Sequence, residues 1–501
     1  MLQTHQGPSN TVFRARRVMR RCALLPLVVL GFGLEACGHS AAPRVLRLAS
    51  SRPISKDPAT ALPGNLWPNS LVYRGLFQFD ANMAPVPDLA VAIPSISASG
   101  REMTFTVRAD ARFSNGDPVT AADVSFSLRR ALVRSRGSNQ GWQALSSIEG
   151  AATVHRGARK TVRGLHVLGR RSIRIRLRHP DPGFLADLAL PIAAVIDRRV
   201  VARGGHWWRR GAAAGPFAID RLGPTTVLTP NRYYYGGRIK LREVSLQLAS
   251  SGRAYRLFRE HRLDAVQLPA AMVARYASSP LFSPTDAMTT MYLVTQAVRD
   301  RRVRVALDES LDRSRLAHPG SILDPTASVL PPTVPEVPPV VDPRVYRPAA
   351  ARKILARGPA IRLSVEGTVP RVVVAWLRTS LHRAGAKLTG TGPRVSVVAL
   401  NIVPPVPQRW LQQLGRAVFP SGSARFNHLL SQTSRILPSK DPNGELTADT
   451  RSQQYLLSGA RLVPIGAIRL GFLISGQAQG LAPTPIGLQP VNENWSSVTV
   501  G

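Results

Sequence analysis

Apolar and polar residues alternate over positions 102–108, with Met103, Phe105 and Val107 on one side and Thr104, Thr106 and Arg108 on the other. A period of two predicts a half-buried strand. The same alternation returns at 171–178, where Ile173, Ile175 and Leu177 oppose Arg174, Arg176 and Arg178. Those arginines read as the solvated face of a sheet and nominate no site. Val244, Leu246 and Leu248 predict a third strand. Thr120 followed by Asp123, ahead of Val124, Phe126 and Leu128, reads as an N-cap with an acidic third residue opening a helix. Positions 371–384 predict another helix, with Gly385 placed to end it. Six prolines between 331 and 343 predict an extended surface connection. Strand and helix patterns interleave along the chain, so the expected class is mixed α/β.

The N-terminal stretch follows a different pattern. Arg14, Arg16, Arg17, Arg20 and Arg21 precede a mostly apolar run at 23–34. That run has the length of a signal-peptide core and is too short to cross a hydrocarbon layer of about 30 Å. Leu34-Glu35-Ala36-Cys37-Gly38 then resembles the bacterial lipoprotein processing box, in which the cysteine becomes the lipidated first residue. Positions 1–36 are therefore expected to be removed as a lipoprotein signal peptide, and Cys37 to carry the membrane anchor. Cleavage there also removes Cys22, the other of two cysteines, leaving no free thiol to oxidise outside the cytoplasm. An ordinary signal peptide with an incidental cysteine is the alternative.

Composition narrows the function. The 501 residues are 44% hydrophobic, enough for real cores in two to four domains and too much for a disordered chain. Lys and Arg number 66 against 29 Asp and Glu, a formal charge of +37, and only six of the basic residues are lysine. The arginines are dispersed, with no basic arm and no nucleic-acid motif, so no nucleic-acid partner is expected. Attraction to anionic headgroups and solubility in an acidic medium both remain open as reasons for the charge. Phosphate-loop, His-Glu-x-x-His and Gly-x-Ser-x-Gly patterns are missing. The ten histidines are scattered, with no pair spaced to share a helix face. The chain is therefore expected to be no enzyme and to need no cofactor or metal, with an envelope hydrolase kept as a remote alternative.

Four blocks, in order, resemble the family 5 extracellular solute-binding proteins, which include the oligopeptide- and dipeptide-binding lipoproteins of ABC importers. The first runs from Asp57-Pro58 through Leu71-Val72-Tyr73-Arg74-Gly75-Leu76 to Pro87-Asp88-Leu89-Ala90. The second joins Thr104–Arg108 to Phe113-Ser114-Asn115-Gly116-Asp117-Pro118 and the capped helix after Thr120. The third is Gly215-Pro216-Phe217 with Asn231-Arg232-Tyr233-Tyr234-Tyr235-Gly236-Gly237. The fourth is Asp300–Leu307 with Asp312-Arg313. These blocks read as scaffold: turns, caps and buried aromatics.

The resemblance implies a periplasmic-binding-protein type II fold, two lobes joined by hinges plus an extra lobe. Lobe I would comprise 37–75, 191–254 and 471–501, with 45–75 pairing to strands from 195–250 and the extreme C-terminus. The extra lobe II would be 76–190, and the distal lobe III, divergent and shortened, 255–470. Hinges are expected near 248–252 and 474–476. In the family, the segment after the first strand lends backbone contacts to the ligand. Here that segment is Ala61, Leu62, Pro63, Gly64 and Asn65, with Trp67 the foremost cleft candidate.

Peptide-binding members also carry a Gly-Trp and a nearby Asp that takes the ligand's α-ammonium group. This chain has 397–407 there, with only Asn401 and Trp410 as loose substitutes. Ordinary di- and tripeptides are therefore expected to bind weakly. The implied role is a lipid-anchored receptor, at the periplasmic or cell surface, that delivers a small-molecule or peptide-like solute to an ABC permease. A ligand-sensing or non-transport envelope lipoprotein is the alternative.

Overall fold

Three β-sheets organise the described part of the chain, two packed on one apolar core each and the third covered on both faces. The computed structural model describes residues 44–501, apart from 134–138, 318–320, 326–327, 335–339, 367–368, 402–403, 405, 434–441 and 492–493. The expected signal segment and Cys37 lie outside the described residues.

The first sheet, in lobe I, has the order Val45–Ser50, Glu243–Leu248, Thr225–Pro230, Phe217–Arg221, and its first pair is parallel. Register puts Leu46 beside Val244 and Leu48 beside Leu246, so one face of the pleat is continuously apolar. Phe217 and Leu228 complete that face. The C-terminal segment does not join this sheet. It forms its own short ladders, Ala478–Gln479 with Thr499–Val500 and Leu481–Thr484 with Gly487–Pro490. It reaches lobe I by packing instead, through Ala478, Leu481, Leu488, Trp495 and Val498.

Lobe II is built on Ser95–Ile96, Glu102–Thr106, Ser172–Arg176 and Leu165–Val167, all antiparallel. Met103 lies opposite Ile175 and Phe105 opposite Ile173, and all four are buried. The helix Ala121–Leu132 covers this core, and its capping box is complete. Thr120 accepts from the Asp123 amide while Asp123 accepts from the Thr120 amide.

Lobe III centres on the order Ala265–Gln267, Leu462–Ile474, Phe282–Val294, Arg394–Asn401, Arg362–Glu366. Its middle strands are covered on both faces. Met291, Leu293, Val395 and Val397 enter one core with the helices Arg301–Glu309 and Arg371–Arg383. Tyr292, Val294 and Val398 enter a second core with the helices Pro407–Val418 and Ala424–Thr433. Double coverage explains why 395–400 reads as an almost unbroken apolar run in the sequence. Strand Leu462–Ile474 continues past 470, the expected lobe III boundary, and its Phe472 sinks into the lobe I core beside Ala265.

The blocks quoted above meet where lobes I and II join. Asn231 donates to the Gly215 carbonyl at 2.9 Å, and Asn115 donates to the Asp197 carboxylate at 3.1 Å. Gly116, at φ +93°, lies under the Tyr233 ring. Tyr235 donates to buried Asp88, whose carboxylate also lies 3.7 Å from Arg74. Burial pushes the Asp88 carboxyl up from its ordinary range, and Arg74 pulls it back. Tyr234 and Tyr235 are thus part of a polar seam inside the scaffold.

Candidate functional site: the cleft between lobes

The helix Pro407–Val418 supplies one wall of a large cleft. Proline at its first turn suits a helix start, where no amide partner is needed. Trp410, Leu411, Leu414 and Val418 are fully buried in lobe III. The opposite stripe, Arg409, Gln412, Gln413 and Arg416, follows the i, i+3, i+4, i+7 spacing of one helix face. That stripe borders a cavity of about 600 Å³. Lobe II contributes Gln140, Gln143 and Asp187; lobe I contributes Gly64 and Trp67; Pro485 and Ile486 come from the C-terminal segment.

At this cleft an ion pair joins lobe II to lobe III. Asp187 sits on the short helix Phe184–Leu188, whose Phe184 and Leu188 are held in the lobe II core. Its carboxylate has no solvent exposure and is grasped by both terminal nitrogens of Arg409, one of them at 2.5 Å. A two-point guanidinium–carboxylate bond fixes orientation as well as charge. Burial nevertheless pushes the Asp187 carboxyl up to about 7, with Arg409 opposing the rise and Asp181 adding to it.

The cleft extends beyond this central space. Gly64, Trp67 and Ile486 separate it from a cavity of about 270 Å³ at the joint between lobes I and III. On the other side, Gln143, Arg409 and Gln412 also line a cavity of about 430 Å³ reaching His179 and Asp181. Trp67 is held as a partition by its indole N–H, which donates to the Leu488 carbonyl.

Of the residues nominated from sequence, Gly64, Trp67 and Asn401 border the central cavity. Asn65 is buried and donates to the Pro53 carbonyl at 2.6 Å, closing the loop that presents Gly64. Ala61 is buried, Leu62 points to solvent, and neither borders the cavity. Pro63 contributes backbone to the turn Pro63–Asn65. Trp410 lies in the core, where its indole donates to the Tyr292 hydroxyl at 2.9 Å and Tyr292 donates onward to the Val329 carbonyl. The polar stripe beside Trp410 was readable from the spacing of 409, 412, 413 and 416. Asp187 carries no such local signal.

A family profile described as bacterial extracellular solute-binding proteins, family 5, middle, matches residues 84–360. The chain belongs to this family. Among curated relatives it is similar to the dipeptide-binding protein DppE of Bacillus subtilis, 25% identical over 231 residues, 44% of this chain and 42% of that protein. It is similar also to the periplasmic murein peptide-binding protein MppA of Escherichia coli, 27% identical over 286 residues, 54% of this chain and 53% of that protein. The matches thus span about half the length of these relatives or less. Among solved structures, MppA in its unliganded open form superposes with a TM-score of 0.76 at 19% identity, covering 92% of this chain and 96% of that one. HbpA2 from Haemophilus parasuis superposes with a TM-score of 0.74 at 17% identity, covering 91% of this chain and all of that one. The fold is the type II periplasmic-binding-protein fold, mixed α/β.

Proposed function

We propose that this family 5 protein is the lipid-anchored, extracytoplasmic receptor of an ABC importer. It captures a peptide-like solute between its lobes and delivers it to a permease, with no chemistry performed on the ligand. The observation that carries this reading is the cleft of about 600 Å³ walled by all three lobes and crossed by the Arg409–Asp187 pair. A space bounded by separate bodies changes size when they rotate, and interlobe clefts are common ligand sites. Ligand shifts the open and closed populations by its preference for the closed form. The relatives' names, dipeptide-binding and murein peptide-binding, support a peptide-like solute.

The test starts with protein purified from membranes. Intact mass is expected to show a diacylglyceryl adduct on Cys37, and Cys37→Ala to release the protein. Mass spectrometry of solute set free by mild unfolding identifies the ligand. Returning that ligand to stripped protein is expected to shrink the radius of gyration in solution scattering. An unchanged radius at saturation, or conversion of the ligand to product, overturns the reading.

A further inference from the structure

The charge of the cleft narrows the ligand, on the reading that the cleft is the solute site. The central cavity is bordered by two cations, Arg409 and Arg416, and one anion, Asp187. Arg409 and Asp187 neutralise each other. Arg416 stands two helical turns from Arg409 on the same face, is exposed, and has no carboxylate within salt-bridge distance among the described residues. Among the described residues, the lining of the central cavity therefore carries one uncompensated positive charge. Among the described residues lining it, an ammonium group would meet the guanidinium of Arg416 and no unpaired carboxylate, Asp181 lying on the adjoining cavity.

The remaining polar lining is dominated by amides. Gln412 and Gln413 border the cavity from lobe III, and Gln140 and Gln143 from lobe II. Each amide both donates and accepts, which matches the peptide group. A guanidinium presents a planar fork that fits a carboxylate at two points.

We propose that the cleft selects a peptide-like solute bearing a carboxylate, which Arg416 receives while the four glutamines hold its amide groups. The ligand is recognised by its carboxylate, in place of an ammonium group.

Calorimetry on ligand-stripped mature protein tests this with three tripeptides blocked by an N-acetyl group and a C-terminal amide, Ala-Glu-Ala, Ala-Gln-Ala and Ala-Lys-Ala, so that the central side chain carries the only charge. The glutamate peptide is expected to bind about tenfold more tightly than the glutamine peptide, and the lysine peptide most weakly. Arg416→Gln should bring the three within about twofold, and Arg416→Lys should keep part of the preference. Arg383→Gln, an exposed arginine on another lobe III helix, controls for the general positive field of the chain. It should leave the ranking intact. Equal binding of the three peptides, or equal loss of preference in both glutamine variants, overturns the proposal and leaves the receptor reading standing. Binding of none of the peptides overturns the proposal. If the natural solute then still closes the lobes, the receptor reading survives; if it does not, both fall.

Discussion

Arg409 on a lobe III helix holds the buried carboxylate of Asp187 on a lobe II helix with both terminal guanidinium nitrogens. The two residues are 222 positions apart. The same guanidinium borders the central cavity and the cavity beyond it, so the bond that ties the lobes also stands inside the space a solute would fill.

Cutting this bond should open the molecule. Removing one partner of a buried ion pair costs about 3–5 kcal/mol, because the other charge is left without compensation. In Arg409→Gln at pH 8, where the buried Asp187 carboxylate is ionised and left alone, the lobes escape that cost by separating. A larger radius of gyration than the wild type, in ligand-free scattering, is the expected outcome. A radius equal to the wild type would show that the apolar contacts around Met288, Val406 and Ala186 hold the lobes unaided.

Asp187 should also make stability depend on pH. Its folded value, about 7, lies above the ordinary 3.8, so the folded state holds the proton more tightly than the unfolded chain does. The stabilisation from this group is complete below about pH 4 and is lost as pH rises through 7. Denaturant melts of Asp187→Asn should show a flatter profile from pH 4 to 8 than the wild type. Parallel profiles would assign the slope to other groups.

Trp67 should act as a wall and a tie. Trp67→Phe keeps most of the ring and loses the indole bond to the Leu488 carbonyl, for about 1–3 kcal/mol of stability. Trp67→Ala should cost about 3–5 kcal/mol and merge the 600 Å³ and 270 Å³ spaces. Thermal melts measure the first effect. A probe such as xenon, counted in crystals of the alanine variant, reports the second.

Gly215 should tolerate no side chain. A Cβ there would lie 2.3 Å from the Val72 carbonyl oxygen, part of the backbone that joins two of the quoted blocks. Gly215→Ala should destabilise by about 1–3 kcal/mol or more, since backbone cannot move aside as a flexible side chain can. Gly237, with only the Ser496 side chain at 3.5 Å or beyond, has φ +98° instead, so its cost would be conformational. An unchanged midpoint for Gly215→Ala would refute the close-contact argument.

Residues 102–108 and 171–178 carry their own strand pattern, because alternation of buried and solvated positions depends only on neighbours along the chain. The cap at Thr120 and Asp123, and the helix end before Gly385, are legible for the same reason: their partners lie within a few residues. So are the turns and buried tyrosines of the family blocks, which keep their order along the sequence.

Position 410 shows where such reasoning stops. Trp410 is expected in the cleft as a loose substitute for the family's tryptophan, yet the helix turns it into the core and turns Arg409 outward, a difference of one position and about 100°. The stripe at 409, 412, 413 and 416 was written in the sequence. Which side of that helix faces the cleft was settled by the packing of Trp410 on Tyr292. Asp187 had no local mark at all. Its meeting with Arg409 exists only because the fold brings together two helices 222 positions apart, and the charge of such a surface is a property of both segments together.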